Sequence, residues 1–242
     1  MDLSIVIPAY NEAAKIARDV DATARFLVDQ RLAGEILVVD DGSQDDTSKV
    51  AEAVPVPPGV ERKVIRYLPH RGKGCAVRTG MTATRGEYVL FADSGLCIPF
   101  ANALRGLAMI KRGECDIAHG SRKLPESILK VPQPLYRRLL SRLFRTVVFG
   151  LMGIPRELTD TQCGFKLYRG DVARELYRDC RSDGFMFDIE VLMRARRRGF
   201  TVREFPVEWV CDLDSRLRPM RNLYGVLREL VRIKRALRNE RR

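Results

Sequence analysis

Along the first half of the chain, short apolar runs alternate with stretches of helical periodicity. Leu3–Ile7, Glu35–Val39, Lys63–Leu68, Glu87–Ala92 and Asp116–His119 read as strands. Between them Ile16, Val20, Thr23, Ala24 and Leu27 fall on one helical face, and Lys73 to Arg85 repeats the pattern through Ala76, Val77, Gly80 and Met81. Such βαβα alternation predicts an α/β fold, a mostly parallel central sheet flanked by helices. The runs Ile5-Val6-Ile7 and Ile36-Leu37-Val38-Val39 are continuous rather than alternating, as expected of strands covered on both faces. Ligands of such sheets bind beyond the carboxyl ends of the strands.

The second half predicts a basic amphipathic helix around Leu135 to Met152, a strand near Gly164 to Tyr168, a helix from Phe187 to Arg198, a strand from Thr201 to Trp209 and a last helix after Pro219. No internal repeat or low-complexity block interrupts this, and Pro55 to Pro58 marks a surface connection.

Composition narrows the class. With 242 residues, 45% apolar and 31% charged, the chain is neither disordered nor a disulfide mini-protein. The six cysteines form no CxxC pair, so they read as reduced thiols of a cytoplasmic protein. Leu3–Ile7 is too short for a signal-peptide core, and Arg142 and Arg145 interrupt the apolar stretch Leu139 to Ile154 before it could span a bilayer.

The net charge of +12 is unevenly placed: Arg216 to Arg242 has ten basic and two acidic residues, +8, leaving +4 for the rest. We therefore read residues 1–215 as the main domain and 216–242 as a basic amphipathic helix. In that helix Leu223, Val226, Leu227, Leu230, Val231 and Leu237 form a stripe, with Arg221, Arg228, Arg232 and Arg235 mostly off it. Such a helix suits peripheral attachment to an anionic membrane surface, here at the cytoplasmic face, and equally suits docking on the domain. A nucleic-acid partner is not expected, because aromatics are only 7% and no reading motif is present.

Candidate chemistry gathers at strand ends. The first strand runs into Pro8-Ala9-Tyr10-Asn11-Glu12, the second into Asp40-Asp41-Gly42-Ser43, and the fourth delivers Asp93, followed by Ser94-Gly95. Carboxylates there could bond a base or ribose, and Asp93 could hold a divalent ion on a diphosphate. Asn11 and Ser43 equally suit helix caps, with Asp46 completing a capping box, and Asp93 suits a turn. Arg71-Gly72-Lys73-Gly74 reads as a flexible basic loop able to approach phosphate, or as a surface turn.

Taken in order, these residues resemble the family 2 glycosyltransferases of GT-A fold, and within them the dolichyl- or polyprenyl-phosphate glucosyl- and mannosyltransferases. The resemblance rests also on Val77-Arg78-Thr79-Gly80-Met81, Gly120-Ser121-Arg122, Asp160-Thr161-Gln162-Cys163-Gly164-Phe165-Lys166, Phe187-Asp188-Ile189-Glu190 and Pro206-Val207-Glu208-Trp209. It implies an inverting hexosyltransferase that uses a nucleotide sugar, most specifically UDP-glucose, and a polyprenyl phosphate acceptor.

The same resemblance implies that Pro8, Tyr10 and Glu12 with Asp40 or Asp41 hold the base and ribose. Arg71, Lys73, Asp93 and Ser94 complete the donor side, and Asp93 belongs to an Asp-X-Asp metal motif. Here Asp93-Ser94-Gly95 lacks the second acid, which leaves one carboxylate for Mg²⁺ or Mn²⁺, a weakened site. Asp212 or Asp214 could join it, or cations alone could hold the diphosphate. Asp214-Ser215-Arg216 stands where related enzymes carry Gly-Ser-Lys.

A phosphate acceptor is already anionic and needs a cationic cradle rather than a base. Ser121 and Arg122 with Arg137, Arg138, Ser141 and Arg142 are candidates, and Gln162 joins them. Asp188 lies where many relatives place a catalytic base, a role it would fill with a hydroxyl acceptor; with a phosphate it positions instead. Salt bridging of Asp188 and Glu190 to Arg194 or its neighbours is the plainer reading.

Overall fold

The computed structural model describes residues 1–130, 145–146, 148–155, 157–210 and 223–239. Seven strands form the main sheet: β1 (Leu3–Ala9), β2 (Gly34–Asp40), β3 (Val60–Arg66), β4 (Tyr88–Ala92), β5 (Ile117–Ser121), β7 (Phe165–Arg169) and β8 (Val202–Pro206), in the order β3-β2-β1-β4-β7-β5-β8. All neighbours are parallel except β7, which runs against both β4 and β5. Two short strands, β6 (Ile128–Leu129) and β9 (Glu208–Trp209), make a separate parallel pair.

The continuous apolar runs serve both faces of the sheet. Ile5, Ile7, Ile36, Val38 and Leu90 point to one side, and Val6, Leu37, Val39, Val89 and Phe91 to the other. The first layer is covered by α1 (Ile16–Asp29), α2 (Thr47–Ala53) and α4 (Ala103–Lys111), the second by α3 (Lys73–Thr82), α5 (Gly170–Asp179) and α6 (Phe187–Arg197). The edge strand β3 carries Glu61, Arg62, Lys63 and Arg66, and charge of this kind discourages pairing with another sheet. The stretch Thr201 to Trp209, read as one strand, divides at Pro206. Proline has no amide hydrogen for a ladder, so β8 ends there and β9 pairs elsewhere.

The last helix, α7 (Leu223–Asn239), packs on the outside of α6. Leu230, Ile233 and Leu237 are buried with Met186, Ile189, Leu192, Val148 and Met152, while Leu227 and Val231 are exposed beside Arg228 and Arg232. The stripe is therefore used mainly for docking on the domain, and its outer margin stays open. Of the basic helix expected over Leu135 to Met152, residues 145–146 and 148–152 are described and helical. No described helix is long and apolar enough to cross a membrane. The described cysteines, Cys75, Cys97, Cys115, Cys163 and Cys180, are free thiols.

Candidate active site

The carboxyl ends of β1, β2 and β4 meet the amino end of β7 at one rim, which gathers residues from both halves of the chain. Asp93 follows β4. Its amide donates to the Gly164 carbonyl at 2.8 Å, and a Cβ on Gly164 would lie 1.9 Å from Asp93 Oδ2, so only glycine leaves that carboxylate its place. Oδ1 of Asp93 lies 2.7 Å from Lys73 Nζ, with side chains 37% and 25% exposed. Burial pulls the Lys73 ammonium down, but the carboxylates of Asp93 and Asp188 outweigh it and hold its pKa above the ordinary lysine value.

Position 95, where the motif lacks its second acid, is clasped from α1. The Gly95 amide donates to Asp19 Oδ2 at 2.7 Å, the Arg18 guanidinium donates to the Gly95 carbonyl at 3.1 Å, and Gly95 has φ +97°. This left-handed conformation favours glycine, so an aspartate there would be strained.

Asp40 and Asp41, expected on base and ribose, are both buried and heavily bonded within the chain. Asp40 accepts from the Ser43 amide and the Ser48 hydroxyl. Asp41 accepts from Tyr67 Oη and the Arg71 and Gly72 amides, each at 2.8 Å, with His70 Nδ1 2.9 Å from its Oδ2. These two acids build the wall and pin the 67–72 turn. Pro8 is buried in β1; Tyr10 is half-buried and stacks on His70 with ring centroids 4.0 Å apart. Nothing in the sequence pattern marked His70, because its partners are Tyr10 and Asp41, far away in the chain.

Asn11 and Ser43 do not cap helices. The Asn11 amide donates to Ser43 Oγ at 2.8 Å and the Gln44 amide to Asn11 Oδ1 at 2.7 Å, which ties the first two strand-end loops together. The N-caps of α1 and α2 are Lys15 and Asp46, without side-chain cap bonds. The Glu12 amide donates to Thr47 Oγ1 at 2.8 Å, and Ser94 lies half-buried after Asp93.

On the other side of the rim, Arg122 grips Asp160 through Nε and Nη2 at 2.7 and 2.8 Å and lies over the Trp209 ring at 5.4 Å. Burial raises the Asp160 carboxyl, yet Arg122 prevails and holds it down to about 2. Ser121 is fully buried, with its hydroxyl 2.8 Å from Thr159 Oγ1, so it belongs to the floor rather than the lining. Gln162 Nε2 is buried without a hydrogen-bond partner among the described residues.

Asp188 and Lys166 form a salt bridge with side chains 5% and 1% exposed, and Lys166 also donates to the Thr161 carbonyl at 3.1 Å. Burial raises the Asp188 pKa, opposed by Lys166 and Lys73. Glu190 bonds Arg194, as the simpler reading of this helix expects, whereas Asp188 takes Lys166 instead. Arg138, Ser141, Arg142, Asp214, Ser215 and Arg216 lie outside the described residues, as do Arg137 and Asp212.

No three His, Cys, Asp or Glu side chains converge among the described residues. Among the described residues, the donor set therefore fits a divalent ion as one anchored by a single carboxylate, Asp93, with diphosphate oxygens and water as further ligands.

Residues 4–177 match the sequence family Glycosyl transferase family 2. The dolichyl-phosphate beta-glucosyltransferase of Drosophila melanogaster is 35% identical over 246 residues, covering 96% of this chain and 74% of its own. The human protein of the same name is 32% identical over 90% of this chain and 70% of its own. Among solved structures, glucosyl-3-phosphoglycerate synthase from Mycobacterium tuberculosis, in complex with Mn²⁺ and UDP-glucose, superposes with a TM-score of 0.71 at 20% identity, over 96% of this chain and 78% of that one. With that fold, and a sequence match over most of its length, the chain belongs to glycosyl transferase family 2.

Proposed function

We propose that this enzyme transfers glucose from UDP-glucose to a dolichyl or polyprenyl phosphate, with inversion, at the cytoplasmic face of a membrane. The observation that carries the acceptor class is the state of Asp188. It is buried and paired with Lys166, so it is ill placed to take a proton from an acceptor hydroxyl. A phosphate monoester requires no such base; its anionic oxygen attacks the anomeric carbon as the bond to the diphosphate breaks. The names of the relatives support the same acceptor and sugar.

On the donor side, Tyr10, His70 and the wall built by Asp40 and Asp41 form the nucleoside end, with Pro8 and Glu12 at the same strand end. Lys73 and Arg71 meet the leaving diphosphate, whose developing charge they stabilise. A divalent ion, when bound, supplies further neutralisation of that charge and is held from this chain by Asp93. On the acceptor side, Gln162 and Arg122 face the phosphate, and Arg138, Ser141 and Arg142 with Asp214, Ser215 and Arg216, outside the described residues, are assigned to the same role from the sequence. Arg228, Arg232 and Arg235 on the outer face of α7, beside exposed Leu227 and Val231, suit an anionic headgroup layer, so 216–242 acts as a peripheral anchor.

The test is transfer from radiolabelled UDP-glucose to a short-chain polyprenyl phosphate, set against free sugars and oligosaccharides, with GDP-mannose as competing donor. Glucosyl lipid as the dominant product supports the reading; transfer only to sugar hydroxyls overturns it.

A further inference from the structure

The geometry points to Glu229, on the C-terminal helix, as a positioning residue for the donor-side loop Arg71–Gly74. This rests on the function proposed above and extends it to a residue 156 positions from Lys73. Glu229 is the one acid among the 17 residues of α7, and it is half-buried while Arg228 and Arg232 beside it are exposed.

What Glu229 meets is the 180–185 turn. The Ser182 hydroxyl donates to Glu229 Oε1, and a Cβ on Gly184 would come within 2.6 Å of Oε2, so the carboxylate lies close against the turn. From α6, Glu190 takes the Arg181 and Ser182 amides at 3.0 and 2.7 Å. Two helices thus fix one turn from one side.

The other side of the turn is the start of α3. The Asp183 carbonyl accepts the Gly74 and Cys75 amides at 2.8 and 3.3 Å, capping a helix that has no side-chain cap of its own. The Asp183 carboxylate binds Arg78 and lies 3.6 Å from Arg71. A Cβ on Gly72 would meet the Asp183 carbonyl oxygen at 2.4 Å, and one on Gly74 would meet the Ser182 carbonyl oxygen at 2.3 Å. The two glycines around Lys73 are therefore contact surfaces for this turn, and the loop that looked flexible in sequence is clamped. Lys73 reaches Asp93 from a backbone held by Asp183, which is seated by Glu229. The seating of the anchor helix and the readiness of the donor site are one mechanical unit.

Hydrogen exchange and UDP-glucose binding on the full chain test this. Glu229→Ala should speed exchange of the Gly74 and Cys75 amides by about tenfold and raise the KM for UDP-glucose by a similar factor, with kcat within about twofold. Ser182→Ala should do the same, and Glu229→Gln, which still accepts from Ser182, should restore most of the binding. Unchanged Gly74 and Cys75 exchange in both alanine variants, with α7 amides still protected, overturns the proposal. The exchange arm uses no substrate, so a wild-type protein that fails to bind UDP-glucose refutes the assigned donor while leaving this positioning role to be judged by exchange alone.

Discussion

Lys73 and Asp93 are joined by a 2.7 Å ion pair although they leave the sheet from different elements, one at the first turn of α3 and one at the end of β4. Each offsets part of the other's desolvation, and Asp188 is a second anion that helps keep Lys73 charged. On the function proposed above, the pair marks where the diphosphate would meet the protein.

Asp93→Asn is expected to lower kcat by about a hundredfold or more, the scale of losing one preorganised charge at a reacting centre. Lys73→Met should chiefly raise the KM for UDP-glucose. Steady-state kinetics with the nucleotide sugar varied separates the two, and kinetics unchanged in both variants would remove the pair from the site.

Gly164→Ala should inactivate nearly as thoroughly, because the new methyl would occupy the space of Asp93 Oδ2, 1.9 Å away. Gly150→Ala is the control: nothing among the described residues lies within 4 Å of a Cβ there, so activity should hold. Equal activity in the two variants would show that the carboxylate moves freely.

Lys166→Met leaves the buried Asp188 without its cation and is expected to cost about 3–5 kcal/mol of stability. For a chain of this length that corresponds to a fall in Tm on the order of 10 °C. Replacing both residues, Lys166→Met with Asp188→Leu, should recover much of the loss, as read by thermal unfolding. A double variant no better than the single one would mean that the pair does more than satisfy itself.

Two carboxyls give opposite pH slopes. Burial pushes Asp19 up from 3.8 to about 6, so the folded state keeps a proton the unfolded chain releases, and stability falls as pH rises from about 4 to about 6. Asp160, held down to about 2, contributes stability that is present above the ordinary 3.8 and lost as pH falls toward about 2. Asp19→Asn should remove the first slope and spare the second in urea unfolding across a pH series. Persistence of the first slope would assign it to another group.

Much of the sheet was legible because β1, β2 and β4 must be apolar on both faces. Three helices were not. α2 is only seven residues long, α4 has Gly106 at its centre where a Cβ would strike Leu167 at 2.7 Å, and α5 begins at Gly170 directly after a strand. Short length and interior glycine both weaken a periodic signal. Strand-end residues of the site were legible for the same reason as the strands. Their partners were not: Asp41 answers to Tyr67 and His70, Lys166 to Asp188, and Asp183 to Arg71, contacts that only packing creates.

A single reversed strand has a further consequence. Since β7 enters the sheet at the edge where β1, β2 and β4 leave it, the segment leading into it arrives as an opposing jaw, fed by the later part of the polypeptide. On the function proposed above, the nucleotide would be gripped mainly from the first strand ends and the lipid phosphate from this later segment. On that proposal, substitutions at Gln162 should alter use of the receiving molecule while the grip on the activated sugar stays as it was, whereas Gly164, against Asp93, belongs to both sides.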